Sequence, residues 1–334
     1  MSPAHPVGYS EQNRGRGYSG DEELPMPTVY IDDFVGVSNK LETLPMAFAI
    51  RKAFGHEIVL DWPELDSFRV EDTRRGSVRI LARIGAIRVR CCDDRLFNSL
   101  RRRKVILRSL DGPAYRLDPI YMEVASRIRL DPGLSGRVRS VFDAFGERPV
   151  VGIHLRHGDY GLSPGDGYDC LRVEWPAVPL WWYEHVMGAI VRKRKDVAFF
   201  LSATGDPESY TSLRRNFDVT ALDVGNPYGY KGPDHASKAH PVADLFALAC
   251  CPVILATPLS GYSHWAANVF GEPSVCLVPL SGASPSDPAI GKLSLYGMRL
   301  PAWRAFGRQV RNTPKVSAEL EGVDLDKPAQ TGWL

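Results

Sequence analysis

Three clusters of polar residues each follow an apolar run that is typical of a buried strand. They are "HLRHGDYG" at 154–161, "SATGD" at 202–206 and "TPLSGYS" at 257–263. The carboxyl ends of parallel strands meet at one edge of an open α/β sheet, and ligands bind there. The sequence therefore predicts one shared pocket. Its candidate residues are His154, Arg156, Asp159, Ser202, Thr204, Asp206, Ser260, Gly261 and Ser263.

The first cluster predicts a phosphate or diphosphate site. Arg156 is planar and permanently charged, which suits bidentate binding of such a group. Gly158 and Gly161 would let a ligand approach the backbone closely. His154 has the side chain that titrates near neutral pH, although a hydrogen-bonded core histidine is the commoner outcome on a strand. A surface pair of arginine and aspartate at a strand end is the other interpretation.

The other two clusters have both a functional and a purely local interpretation. Ser202 and Thr204 would contact ribose or phosphate, and Asp206 a donor group of a base or sugar. A simple turn with a helix cap explains the same residues. Ser260 and Ser263 precede a predicted helix, whose N-terminus is a ready anion site. Ser260 as no more than an N-cap is equally compatible with the sequence.

An alternation of strands and helices positions these clusters. In the first half it predicts a strand at 29–31, a helix at 41–54 with Pro45 near its start, and a strand at 58–60. Such a β-α-β unit indicates a parallel sheet. The second half repeats the alternation. Its predicted elements are helices at 135–145, 180–193 and 241–251 and strands at 197–201, 253–257 and 274–278.

The chain of 334 residues is longer than one core usually supports, so two domains are expected. We predict an N-terminal α/β domain at 27–147 and a C-terminal Rossmann-type domain at 148–311. Residues 1–26 are rich in Gly, Pro and Ser and predict a disordered lead-in. Residues 312–334 predict a similar tail.

Composition excludes several classes of protein. A net charge of +2 does not indicate a nucleic-acid partner. No apolar run is long enough to cross a bilayer, and the N-terminus lacks the apolar core of a signal peptide, so a cytoplasmic protein is expected. The six cysteines form two adjacent pairs and no CxxC, which favours reduced, packed thiols.

The motifs of several enzyme classes are missing. The sequence has no GxxxxGK[ST] and no GxGxxG after a strand. Its one Asp-x-Asp, Asp324 and Asp326, lies in the predicted tail, so no metal site is expected. The basic run at 101–104 predicts a solvated face, or contact with an anionic glycan or lipid-linked acceptor.

Three blocks of the chain resemble the GDP-fucose fucosyltransferases. "VVGIHLRHGD" is similar to their motif His-x-Arg-x-(Gly or Thr)-(Asp or Asn), most of all to its form in the rhizobial nodulation enzymes. "GVSNKLETLPMAFAIRKAFGHEIVLDW" resembles their opening turn, helix and strand. "DLFALACCPVILATPLSGYSHWAANVFG" resembles their closing motif. The blocks keep this family's order over about residues 28 to 280.

The resemblance implies a GT-B-like α/β fold, with two Rossmann-type domains facing across a cleft. It implies an inverting transfer of fucose from GDP-fucose to a hydroxyl of a glycan or glycoconjugate, with no metal and no other cofactor. The nucleotide-sugar donor would bind mainly in the C-terminal half, and the acceptor on the N-terminal side.

The resemblance also implies roles for individual residues. Arg156 would stabilise the leaving diphosphate and His154 would support the same loop. The acceptor base stays open among Asp159, Asp166, Asp169 and Glu174, with Asp159 preferred. The resemblance further implies that Gly36, Asn39 and Asp244 contact substrate. It implies the same for the candidate residues of the second and third clusters, which are Ser202, Thr204, Asp206, Ser260, Gly261 and Ser263. The turn "GVSNKL" and the loop "GLSPGDGYDC" depart from the family's pattern.

Two other functions remain compatible with the sequence. One is a glycosyltransferase of the same fold that uses another nucleotide sugar. The other is a non-catalytic protein that binds a nucleotide sugar or a glycan.

Overall fold

Two largely parallel sheets organise the chain. The computed structural model describes residues 26–108, 120, 122–157, 160–163, 165–170, 173, 175–204, 207–228, 238–293 and 314–334. Residues 1–25 of the predicted lead-in lie outside these ranges, and so do two of the predicted site residues, Asp159 and Asp206, and the candidate base Glu174.

The N-terminal sheet has five parallel strands in the order β4-β2-β1-β6-β5. A separate antiparallel pair, β3 with β7, lies beside it. The strands are β1 (Thr28–Ile31), β2 (Glu57–Leu60), β3 (Phe68–Val70), β4 (Arg74–Arg75), β5 (Ile87–Val89), β6 (Val105–Leu107) and β7 (Ile128–Leu130).

The C-terminal sheet has six strands in the order β10-β9-β8-β11-β12-β13, and only β13 is antiparallel to its neighbour. The strands are β8 (Val150–Arg156), β9 (Ala198–Thr204), β10 (Val219–Thr220), β11 (Val253–Leu255), β12 (Val275–Pro279) and β13 (Ile290–Leu293).

Eight α-helices have both ends in the described part of the chain, and residues 122–125 are helical as well. They are α1 (Val37–Phe54), α2 (Ile80–Arg83), α3 (Asp94–Ser99), α4 (Pro132–Asp143), α5 (Leu180–Lys193), α6 (Thr211–Asn216), α7 (Pro241–Leu248) and α8 (Gly261–Asn268). One-turn 3₁₀ helices occupy Pro63–Asp66 and Pro207–Tyr210. None of the described helices combines the length and the apolar character that crossing a membrane requires.

Helix α1 begins four residues earlier than predicted. Gly36 is its N-cap, so Pro45 lies in the helix interior and not near the start as expected. The prediction was wrong because the polar residues at 38–40 hide the first turn from an apolar pattern. Proline leaves the carbonyl of Leu41 without its usual N–H donor, and burial of the surrounding residues holds the helix in place. Gly55 ends the helix in the left-handed region, with φ 78°.

One apolar core joins the two sheets through their helices. Buried residues of α1, α4, α7 and α8 belong to the same cluster. At the crossing of α1 and α8, the indole Nε1 of Trp265 donates to Glu42 Oε2 at 3.0 Å. Gly152 lets α7 approach β8, because a Cβ there would lie 2.7 Å from Leu248 Cδ1. The two α/β units are therefore packed against each other through α1 and α8.

The C-terminal segment at 314–334 packs on the protein, so its predicted disorder is wrong. Val316, Leu320, Val323 and Leu325 are buried in a second core cluster. The ring of Trp333 stacks on those of two phenylalanines of the first cluster, at 5.7 and 6.0 Å between centroids. A few well-placed apolar residues anchor this segment although it lacks any periodic pattern. The six cysteines are free and all but Cys91 are buried, as predicted for thiols that are mostly packed.

Candidate functional site

The predicted polar clusters meet at the carboxyl edge of the C-terminal sheet. Strand β8 lies between β9 and β11. The register of β8 and β9 pairs His154 with Ser202 and Arg156 with Thr204. The prediction placed these four residues in the loops that follow the strands. They belong to the strands themselves, because β8 extends to Arg156 and β9 to Thr204. Thr204 Oγ1 donates to the carbonyl of His157 at 3.0 Å and ties the two strand ends together.

Arg156 lies between a hydroxyl and an aromatic ring. Its Nη1 is 3.5 Å from Ser260 Oγ. Its guanidinium carbon lies 4.6 Å from the centroid of the Tyr160 ring, which is a cation–π distance. The Tyr160 hydroxyl donates in turn to the carbonyl of Leu259 at 3.4 Å. The guanidinium is therefore held at the start of α8, with part of its surface open to solvent.

The N-terminus of α8 faces this guanidinium. Ser260 is the N-cap, but its side chain makes no capping hydrogen bond. It is preceded by Leu259 in the left-handed region, with φ 61°, which is strained for a residue with a side chain. Gly261 begins the helix. The first N–H groups of a helix bind anions, so Arg156, Ser260 and the helix end together form a set of donors for an anion.

His154 is a buried neutral group. Burial, and secondly the charge of Arg156, lowers the pKa of His154 to about 3. Its Nδ1 lies 2.7 Å from Ser263 Oγ, and Ser263 donates to the carbonyl of Thr257 at 3.2 Å. Since Ser263 has a single O–H, we assign Nδ1–H as the donor to Ser263. The His154 ring also stacks on Tyr262 at 4.9 Å. Such a histidine positions β11 and α8 and does not exchange protons at neutral pH.

Asp244 is a buried acid in the first turn of α7. Burial raises the pKa of Asp244 to about 7, against the effect of a hydrogen bond from Ser202. Its Oδ1 has no hydrogen-bond partner among the described residues. A buried carboxyl oxygen without a donor is costly. This atom is therefore a candidate to accept an N–H from a ligand.

Asp244 should make the free energy of unfolding depend on pH. In the unfolded chain an aspartate loses its proton near pH 4, about three units below the folded pKa. Between about pH 4 and pH 7 only the folded state keeps the proton, so this group makes stability fall as pH rises. Asp244→Asn should abolish that fall. Urea unfolding of both proteins at stepped pH isolates the effect, because the histidines titrate alike in both. An identical slope in the variant would contradict the assignment.

The N-terminal candidates Gly36 and Asn39 lie at the start of α1, in the other α/β unit. Gly36 is exposed at the start of α1, where its carbonyl accepts the N–H of Asn39 at 3.0 Å. Sequence reasoning missed a nearby pair at this edge, in which Arg108 Nε donates to Asp32 Oδ1 at 2.8 Å. The signal for this pair in the sequence was Asp32, an acidic residue directly after β1.

Other contributors had weak signals in the sequence. Tyr160 follows Arg156 by four residues, and only the tertiary fold shows that it lies under the guanidinium. Tyr262 was visible as part of the third cluster but its stacking on His154 was not. Among the described acids near the first cluster, Asp166 is exposed and Asp169 accepts from Ser281 at 2.9 Å. Within the described residues no group of three or more His, Cys, Asp or Glu side chains is arranged to hold a metal ion.

Solved structures with this fold exist. A variant of Arabidopsis thaliana FUT1 in complex with GDP aligns at a TM-score of 0.53 and 10% identity, over 81% of this chain and 75% of that chain. POFUT1 in complex with GDP gives 0.48 and 11%, over 77% and 98%. Fucosyltransferase NodZ from Bradyrhizobium gives 0.47 and 15%, over 75% and 96%. No protein-family model and no curated protein sequence matches the chain.

The alignment with FUT1 covers most of both chains and shows a shared fold. Together with the two parallel sheets, it confirms the predicted fold class, a GT-B-like α/β fold with two Rossmann-type units. The domain boundaries at 147 and 311 stay predictions.

Proposed function

We propose that this chain is a glycosyltransferase that moves fucose from GDP-fucose to a hydroxyl of a glycan or glycoconjugate. The observation that carries the proposal is the position of Arg156 beside Ser260 at the N-terminus of α8. The fold shared with FUT1, whose structure contains GDP, supports a nucleotide at this edge of the sheet.

The proposed mechanism depends on stabilising the negative charge that develops on the leaving diphosphate. The acceptor oxygen attacks the anomeric carbon from the face opposite GDP, which inverts the configuration there. As the bond from carbon to the diphosphate oxygen breaks, negative charge builds on the diphosphate. A fixed guanidinium and helix N–H groups stabilise that charge where it develops, and none of these groups requires a metal. A carboxylate takes the acceptor proton, and we keep Asp159 for this role.

Asp244 supports guanine as the base of the donor. The Oδ1 atom without a partner needs an N–H donor. Guanine presents two adjacent donors, N1–H and N2–H, to a carboxylate, whereas uracil presents a single N–H between two carbonyl groups. Ser202, which bonds the same carboxyl group, would hold it in orientation. His154, Ser263 and Thr204 then act as positioning residues, and Gly36 and Asn39 would face the acceptor.

Ligand-induced stabilisation tests the donor. We expect GDP at a hundred times its Kd to add about 2.7 kcal/mol of stability, and UDP and ADP to add much less. The shift in Tm with each nucleotide measures this. Asp244→Asn should reduce the difference between the Tm shift with GDP and the Tm shifts with UDP and ADP. Asp223→Asn, a change at an exposed acid, should leave that difference unchanged. Stabilisation by UDP but not GDP would favour a different nucleotide sugar.

A further inference from the structure

A second surface combines exposed aliphatic side chains with arginines. Ile80, Leu81 and Ile84 are 80, 79 and 63% exposed, on α2 and directly after it. They lie within one turn of each other, so they form one apolar face. We call this surface the amino-edge patch. It consists of Arg79, Ile80, Leu81, Arg83, Ile84 and the basic run at 101–104.

Two segments distant in sequence build this patch. Lys104 Nζ donates to the carbonyl of Ile84 at 3.4 Å, and the N–H of Ile87 donates to the carbonyl of Lys104 at 2.8 Å. The backbone of the basic run also contacts the interior of the protein, because the carbonyl of Arg103 lies 3.0 Å from Nε2 of the buried His56. The basic and apolar residues therefore form one continuous surface and not two separate features.

The patch is strongly cationic. No acidic residue occurs between Asp72 and Asp93, an interval that contains six arginines, of which Arg74 and Arg75 pair with Glu57 and Asp66 outside the patch. Arg79, Arg83 and the arginines at 101–103 are exposed. No carboxylate of the described residues forms an ion pair with Arg79, Arg83, Arg101 or Arg102. A chain of net charge +2 has thus concentrated positive charge around its exposed aliphatic residues.

The patch lies away from the candidate site. It occupies the amino ends of β5 and β6, whereas Asp32 and Arg108 follow the carboxyl ends of β1 and β6. In a parallel sheet these two edges are opposite. A large partner can therefore bind the patch and leave the cleft side of the sheet accessible.

We propose that the amino-edge patch binds an anionic lipid surface. Interfacial binding needs both an apolar contribution and a basic one, since either alone is weak. The arginines match lipid phosphates and the three aliphatic side chains match the boundary of the acyl chains. A nucleic acid or an anionic glycan would use the arginines and leave the aliphatic side chains in water. This inference goes beyond the proposed transferase activity and does not depend on it.

Flotation of the full chain with lipid vesicles tests the proposal. We expect the protein to float with equimolar phosphatidylcholine and phosphatidylglycerol, and to stay behind with phosphatidylcholine alone. Arg101→Gln with Arg102→Gln should weaken binding about tenfold or more. Ile80→Ser, Leu81→Ser and Ile84→Ser together should weaken it at least as much. The matched control removes the same charge from exposed positions on α6, as Arg214→Gln with Arg215→Gln, and should bind like wild type.

An unchanged Tm in each variant shows that it is folded. Failure of folded wild type to float with the anionic vesicles would overturn the proposal, and so would normal flotation of both patch variants. Binding to poly-glutamate that is lost with the two arginines but not with the serines would assign the patch to an acidic protein, which also overturns it. None of these results bears on GDP binding, so the two proposals fail separately.

Discussion

Arg156→Ala should lower kcat for transfer from GDP-fucose by about 100-fold or more. Removing one donor from a preorganised anion site typically costs this much, because the charge that develops on the leaving group is no longer stabilised. Steady-state release of GDP measures the effect. Arg156→Lys should retain part of the rate, since lysine supplies the charge but not the bidentate geometry.

The control for Arg156 is a change that removes the same charge elsewhere. Arg215 is exposed on α6, and Arg215→Ala should leave kcat unchanged. Arg156 is partly exposed at the end of β8, so the fold should survive the change there, and the Tm of the variant checks this. Normal turnover in folded Arg156→Ala would remove the proposed role of this residue.

Lys40→Met should cost about 3–5 kcal/mol of unfolding free energy. Lys40 and Glu64 are both fully buried, and Nζ lies 2.8 and 2.7 Å from the two carboxylate oxygens. Asp33, at 2.5 Å, is the outer partner of the same ammonium. Removing the lysine leaves the Glu64 carboxylate buried without its cation, which is the costly half of a buried ion pair.

A second change separates pairing from packing. Lys40→Met with Glu64→Leu should recover most of the loss, because no buried charge remains. Lys52→Met on the exposed side of the same helix should have little effect. Urea titration measures all three. A cost for Lys40→Met as small as that for Lys52→Met would show that the pair is not a stabilising element of α1.

The sequence predicted the part of the site that strand periodicity determines. An apolar run that ends in His154 and Arg156 predicts a strand edge, and the parallel sheet brings that edge beside Ser202 and Ser260. How far each strand extends was not predictable, since Ser202 and Thr204 are polar and still belong to β9. Their pairing with β8 decides this, and it is a tertiary property.

Contacts between distant segments escaped sequence analysis for the same reason. Lys40 and Glu64 look like surface residues in the sequence, and their charges reveal neither their burial nor their pairing. Trp333 lies in a segment of irregular composition, and its ring packs on Phe246 and Phe270, which are distant in sequence. Local pattern thus predicted the sheet edge at which the candidate residues meet, whereas the fold determines which side chains pack around them.

Transfer of fucose itself is the most direct test. The full chain is incubated with GDP-fucose and an array of glycans, and the acceptors and GDP are measured by mass spectrometry. The account predicts GDP release together with an acceptor that gains one fucose, lost in Arg156→Ala and retained in Arg215→Ala. Transfer from a uridine or adenosine diphosphate sugar, with neither binding nor turnover of GDP-fucose, would contradict it.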